Sequence, residues 1–281
     1  MHSIVIVRFA GGDALSAALA ALRQQAGDHA GLEVIVAQEA GAAVEPRHDV
    51  TVVELPAGAG PARLRAAGVG AAHGDIVSIT EDHCMAQTNW SMALRHAHDA
   101  GHGVVGGPID PAPALRGADL ALYLLAYGHF RSPRPAGTVT RLSDCNVSYR
   151  RDVLDLVGET WRESFVESDV HAALVASGQS LWFEPRAGVL QGRAVDLAAV
   201  AHEQRVHGEE FASGRAARAS RLARVVLVFT TVLLPPLMVW RALRPARGLG
   251  IGRALSALPA LARLAVAWAW GEFAGYARAL R

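Results

Sequence analysis

Short apolar runs alternate with helix-spaced leucines along the first hundred residues. Ser3–Val7 (SIVIV) is apolar at consecutive positions, the mark of a strand buried on both faces. Ala14–Gln25 carries Leu15, Leu19 and Leu22 at helical spacing, and Leu32–Val36 (LEVIV) and Val50–Val53 read as further strands. Pro61–His73, rich in Ala and Arg, predicts a helix, Asp75–Ile79 a fourth strand, and Trp90–Asp99 another helix. Val104-Val105 ends in the turn Gly106-Gly107-Pro108. Short strands, each followed by a helix, predict an α/β fold with a mixed, mostly parallel sheet covered by helices on both faces.

The pattern weakens from about 110 to 141. Pro111, Pro113, Pro133 and Pro135 mark loops around a helix near Leu120–Leu125, with a mobile segment expected near 130–140. Asp144–Arg151 (DCNVSYRR) precedes a helix, Glu167–Ser177 is another helix, and Ser180–Phe183 is a late strand.

The last part of the chain changes character. Leu222–Trp240 and Leu255–Ala277 are long apolar stretches, and the first is interrupted by Pro235-Pro236. That leaves Leu222–Leu234 as a clean helix of about 20 Å, short of the roughly 30 Å hydrocarbon core of a bilayer. Arg241, Arg244, Arg247 and Arg253 lie between the stretches. A first span would put them outside, against the positive-inside tendency. The expectation is therefore a membrane-associating helical hairpin, re-entrant or in-plane, over residues 215–281, following an α/β domain over 1–214. A soluble helical lid is the competing reading.

Charge sharpens this division. All 27 basic residues are arginine, against 26 acids. From Arg215 onward there are 11 arginines and one acid, Glu272, leaving 16 arginines and 25 acids before it, or about +10 against −9. An acidic main domain excludes a nucleic-acid binder. A basic, apolar tail predicts an anionic membrane as partner. His2–Val7 enters a strand with no basic, long apolar leader, so the α/β domain is expected to stay in the cytoplasm, at the inner face of the plasma membrane. Two cysteines, Cys84 and Cys145, are too few for a disulfide framework.

The chemistry-bearing residues fall after strands. Glu39 follows the second strand, and Glu81-Asp82-His83 follows the fourth. In a parallel sheet both clusters lie beyond the carboxyl ends of the strands, where ligands bind. The competing reading is that the triplet caps the next helix. Gly58-Ala59-Gly60 lacks the third glycine of a dinucleotide loop, since Arg63 stands there. His96, His98 and His102 do not share one helix face and read as surface. Glu81 and Glu167 could form a glycoside hydrolase pair, but that reading leaves Glu39 without a role.

Taken in order, SIVIV, the acid after the second strand, the triplet after the fourth, DCNVSYRR and ESDVHAALVASG resemble a family 2 glycosyltransferase of GT-A fold over roughly residues 3–212. The tail, including WGEFAGYARAL, resembles the C-terminal hairpin of membrane-associated bacterial members. Trp90 sets the register, so the resemblance puts Glu81 and His83 at the two metal-binding acid positions, as ligands of a divalent metal, Mn²⁺ or Mg²⁺, with the imidazole favouring Mn²⁺, and Asp82 between them, at the nucleotide. It implies Glu167 as general base with Asp169 in reserve, the competing role for both being to stabilise a helix N-terminus. It implies Phe9, Ala10, Glu39 and Arg65 around the nucleotide, with Asn146 and Ser148 beside the acceptor. Gln204-Arg205-Val206 matches the motif of processive relatives only loosely. The function implied is a metal-dependent, inverting, non-processive transfer from a nucleoside diphosphate sugar to a lipid-linked or membrane-proximal glycan. A catalytically weak nucleotide-sugar-binding partner of a glycan-assembly complex is the alternative.

Overall fold

The computed structural model describes residues 1–8, 14–25, 31–41, 49–217, 219–244, 246 and 248–280. The chain opens with β1 (His2–Val7), α1 (Ala14–Arg23), β2 (Leu32–Glu39), β3 (Thr51–Leu55) and α2 (Pro61–Ala71). Then come β4 (Ile76–Glu81), β5 (Cys84–Ala86), α3 (Trp90–Asp99), β6 (Val104–Gly106), β7 (Ile109–Pro111) and α4 (Gly117–Ala126). A middle section holds β8 (Gly137–Val139), β9 (Asn146–Arg150), α5 (Arg151–Asp155), α6 (Gly158–Trp161) and α7 (Glu167–Ala176). The chain continues with β10 (Leu181–Phe183), β11 (Val189–Gln191), α8 (Leu197–Ala217), α9 (Arg221–Thr230), α10 (Leu234–Leu243) and α11 (Ile251–Arg278).

Packing divides the chain into two compact units, residues 1–112 with 130–193, and residues 113–129 with 194–281. The boundary expected at 214/215 lies inside α8.

The first unit is built on an eight-stranded sheet in the order β3-β2-β1-β4-β9-β6-β10-β8. β1, β2, β3 and β4 run parallel, as do β6 and β10, while β9 is antiparallel to both β4 and β6. Every residue of β1 is buried, as its unbroken apolar run requires. α2 crosses the sheet where Gly68 meets Val5, and a β-carbon at Gly68 would overlap the valine side chain. Val5, Ile35, Leu64, Val77, Ile79, Val147 and Phe165 share the core that fixes this layer.

Register positions the site. Val7 pairs with Glu81 across β1 and β4, and Thr80 pairs with Asn146 across β4 and β9. Because β9 is antiparallel, its start lies at the edge where β1 and β4 end. A second, three-stranded sheet, β5-β11-β7, continues from that edge. Its strands are three residues each, too short for periodicity to reveal. The segment expected to be loop near 130–140 carries β8, which pairs antiparallel with β10.

His98 corrects a sequence expectation. It is buried, with Nδ1 2.7 Å from the His102 carbonyl and Nε2 hydrogen-bonded to Ser148 Oγ. His96 is exposed, as expected.

The second unit is helical, with α11 running along most of α8 and packing on α4, α9 and α10. Gly271 and Gly275 of α11 face the α8 backbone at Arg205 and Glu209, and Gly208 of α8 faces Trp268. Side chains at these three positions would overlap backbone, so the two helices touch only because they are glycine. The prolines do not break the first apolar stretch. Pro235 and Pro236 occupy the first turn of α10, where N–H groups have no intrahelical partner anyway. A 3₁₀ turn at Thr231–Leu233 joins α9 to α10, so Arg221–Leu243 forms 23 helical residues, whose most apolar 18 have a mean hydropathy of 2.1.

Candidate active site

β4 delivers Glu81 at its last residue, and the chain turns immediately into β5. Glu81, Asp82 and His83 are all nearly inaccessible. Asp82 donates its backbone N–H to the Val7 carbonyl at 3.1 Å, which pins the turn to the end of β1. Its carboxylate lies 3.2 Å from His83 Nδ1, setting the ring so that Nε2 faces Glu81 Oε2 at 3.0 Å. Burial opposes charge on His83, but the carboxylates of Asp82 and Glu81 outweigh it and hold its pKa up at about 10. Burial likewise works against the Glu81 anion, and His83 and Arg65 overcome it and keep the carboxyl below its usual range.

The donor set fits a divalent metal. Two neighbouring ligands on an octahedral ion with bonds of about 2.1 Å stand about 3 Å apart. Glu81 Oε2 and His83 Nε2 have that spacing, at 3.0 Å. Cys84 adds a third donor, with one ligand atom from each of the three residues within 4.8 Å of the others. A carboxylate, an imidazole and a thiol suit borderline ions better than Mg²⁺. Asp82 acts here on the His83 ring.

From this corner a line of polar contacts leads to α7. Arg65 Nη2, carried by α2, lies 3.3 Å from Glu81 Oε1 and 2.5 Å from Asp144 Oδ2. Burial, with the charges of Glu81 and Glu167, raises the Asp144 carboxyl to about 6 although Arg65 pulls it down. The Asp144 backbone N–H donates to Glu167 Oε2 at 3.3 Å. Glu167 Oε1 lies 3.1 Å from His171 Nδ1, and His171 Nε2 is 2.8 Å from the buried Tyr149 hydroxyl. Arg65, Asp144, Glu167 and His171 line one cavity of about 820 Å³, walled on its apolar side by Val166, Val175 and Leu181.

The remaining sequence candidates fall elsewhere. Glu39 accepts the backbone N–H groups of Gly58 and Gly60, both at 3.0 Å, and these bonds lower its pKa. Both glycines have positive φ, so the Gly58-Ala59-Gly60 turn forms an anion-holding nest for this carboxylate. Asp169 is exposed in the first turn of α7, away from the cavity lining. Asn146 and Ser148, expected beside an acceptor, are buried in β9. The Asn146 amide accepts from Trp90 Nε1 at 2.8 Å and donates to the Pro108 and Ala187 carbonyls, and Ser148 Oγ bonds His98. Their polar atoms are taken up in tying β9 to α3 and, for Asn146, to the segments that lead into β7 and β11. Phe9 and Ala10 lie outside the described residues.

Asp144, Tyr149 and His171 were not among the sequence candidates. The signal for His171 was its spacing, four residues after Glu167 on one helix. Asp144 and Tyr149 sat within the quoted DCNVSYRR segment, but only the β4–β9 pairing brings them to the site.

No protein-family model and no curated protein matches the sequence. Solved structures do. The protein is similar to residues 1–349 of TarS from S. aureus in complex with UDP-GlcNAc, at a TM-score of 0.54 and 12% identity, covering 100% of this chain and 90% of that one. The mannosyltransferase PcManGT from Pyrobaculum calidifontis, in complex with GDP-Man and Mn²⁺, matches at 0.52 and 17% identity over 99% and 85% of the two chains. GalNAc-T7 with UDP, GalNAc and Mn²⁺ matches at 0.53 and 13% identity over 69% and 44%. Against a longer TarS structure the TM-score is 0.51 at 14% identity, covering 74% of this chain but only 39% of that one.

The chain has the GT-A fold.

Within this GT-A fold, the triplet Glu81-Asp82-His83 occupies the carboxyl edge of the sheet and Glu167 the N-terminus of α7. Arg65 and Asp144 join them. The two apolar C-terminal helical stretches expected from the sequence are also present.

Proposed function

We propose that the protein is a metal-dependent, inverting, non-processive glycosyltransferase. It transfers a sugar from a nucleoside diphosphate donor to a lipid-linked or membrane-proximal glycan at the cytoplasmic face of the plasma membrane. One observation carries the reading. In a GT-A fold, a pair of metal-spaced donors, Glu81 and His83, is joined through Arg65 and Asp144 to the carboxylate Glu167. The solved structures with this fold support a nucleotide-sugar donor and a divalent ion, since UDP-GlcNAc stands in one, GDP-Man with Mn²⁺ in another and UDP with Mn²⁺ in a third.

Glu81 and His83, with Cys84 beside them, would hold the ion. When bound, it supplies positive charge to the diphosphate leaving group. Glu167 takes the proton of the acceptor hydroxyl as that oxygen attacks the anomeric carbon from the face opposite the diphosphate. The C–O bond to phosphate breaks as the new one forms, so configuration inverts. Arg65 holds Glu81 and Asp144 in place, and Asp144 holds Glu167 through its backbone.

The membrane part of the proposal rests on α9 and α10. Leu222, Phe229 and Val232 are at least 75% exposed, and Trp240, at 52%, carries Arg244 stacked on its ring. Apolar side chains with arginine and tryptophan at one end suit an anionic lipid surface.

The test is a thermal-shift screen of nucleoside diphosphate sugars with and without Mn²⁺, followed by donor turnover. Stabilisation by one donor only with Mn²⁺, and turnover abolished by Glu167→Gln, support the proposal. Stabilisation without turnover by any donor favours a binding partner instead.

A further inference from the structure

We propose that His171 is a positioning residue for the Glu167 carboxylate, held in one tautomer by Tyr149. This inference rests on the reading of Glu167 as general base.

Hydrogen-bond logic assigns the protons. Tyr149 is fully buried in β9, and its hydroxyl lies 2.8 Å from His171 Nε2. A phenol is protonated at neutral pH. If Nε2–H donated to the phenol oxygen, Nδ1 would present a lone pair to the Glu167 carboxylate oxygen 3.1 Å away. Lone pair would then face anion, and the buried phenol proton would be unused. The reverse arrangement satisfies both contacts. Tyr149 O–H donates to Nε2, and Nδ1–H faces Glu167 Oε1 at 3.1 Å.

This fixes Glu167 in two ways. Oε1 lies against His171 Nδ1 and Oε2 accepts from the Asp144 N–H at 3.3 Å, so both carboxylate oxygens are engaged within the cavity these residues line. Each oxygen keeps a lone pair for the acceptor proton. The second effect is electrostatic. The Nδ1–H dipole presents its positive end to the carboxylate oxygen 3.1 Å away. In the transfer step the acceptor O–H breaks and its proton goes to Glu167. The acceptor oxygen bonds the anomeric carbon, and the electron pair of the breaking C–O bond leaves with the diphosphate. His171 keeps its own proton throughout. The groups facing Glu167 from neighbouring elements are Asp144, His171, Tyr149 and Arg65, with Arg141 lining the same cavity.

Two readouts test this. The first needs no substrate. In full-length protein labelled with nitrogen-15 histidine, the His171 resonances, assigned by their loss in His171→Asn, should show Nδ1 protonated and Nε2 bare. Tyr149→Phe should convert them to a tautomer mixture. Nε2 protonated and Nδ1 bare in the wild type would overturn the proposal. The second is the kcat and KM of donor hydrolysis with Mn²⁺, using UDP-GlcNAc and GDP-mannose as probes and water as acceptor. His171→Ala should lower kcat about 10- to 100-fold with little change in KM. His171→Asn, which places an amide N–H where Nδ1–H stood, should restore much of kcat. An unchanged kcat in His171→Ala, with Glu167→Gln inactive, defeats the positioning role and leaves the base assignment standing. An active Glu167→Gln defeats both.

Discussion

Arg65 Nη2 lies 2.5 Å from Asp144 Oδ2 and 3.3 Å from Glu81 Oε1. One guanidinium thus ties the end of β4, with its candidate metal ligands, to the turn whose backbone holds the candidate base. Arg65 is itself buried, so its charge and those of its partners depend on one another. Arg65→Leu leaves the Asp144 carboxylate without its cation and the buried Glu81 with His83 alone. It should destabilise the protein by about 3 kcal/mol, measured by urea unfolding at pH 7.5. A change below about 1 kcal/mol would mean the contact is no more than a surface pair.

His83→Ala removes a candidate ligand while leaving Glu81 and Arg65 in place. Calorimetry should show Mn²⁺-dependent nucleotide binding weakened on the order of 100-fold or more, since even groups that only orient metal ligands matter by 10- to 100-fold. Unchanged Mn²⁺-dependent affinity would remove the triplet from the metal site.

His2 and His98 predict the response to acid. Burial lowers His2 to about 3, helped by the nearby charges of His98, Arg95 and the N-terminus. Burial also lowers His98 to about 4, opposed by its bond to the His102 carbonyl and reinforced by Arg150. Both folded values lie below the unfolded value of about 6.5. Above that pH neither state binds the protons, and the contribution is complete. As pH falls, the unfolded chain takes them up first, and stability is lost down to about 4 for His98 and about 3 for His2. Each residue should contribute a slope of about 1.4 kcal/mol per pH unit between pH 6 and 5. His98→Gln should flatten the measured dependence by about that amount; an unaltered slope would show that His98 does not titrate as assigned.

The seam between α8 and α11 predicts intolerance at Gly271. A β-carbon there overlaps the Arg205 carbonyl, so Gly271→Val must push the helices apart. Overpacking of this kind costs about 1–3 kcal/mol or more. The melting temperature should fall by several degrees, whereas the same change at Gly252, whose surroundings are open, should leave it unchanged or raise it slightly, because valine is the better helix former.

Membrane association is best tested without truncation, because removing residues 222–281 would also remove α11, the helix on which α8 and α4 pack. Phe229→Gln combined with Val232→Gln changes two exposed positions and no packed one. Wild-type protein should float with vesicles containing anionic lipid and the double variant should not. Equal recovery of both with the vesicles, or of neither, would count against α9 and its following turn as the anchor.

Period and order in the sequence determined the first four strands, their helices and a mostly parallel sheet, because buried runs and helix-spaced leucines are local signals. They also determined that Glu39 and the triplet follow strands, hence that both lie at one sheet edge. The charge break near Arg215 and the apolar tail were legible in composition alone. Tertiary structure alone decided what those residues touch. Three-residue strands carry no period, so the second sheet and its hold on Asn146 were invisible. The burial of His98, the nest that engages Glu39, and the line from Arg65 through Asp144 to Glu167, His171 and Tyr149 join residues as much as 106 positions apart, from Arg65 to His171. Such contacts are set by strand register and helix crossing, which depend on the packing of the whole sheet rather than on any segment within it.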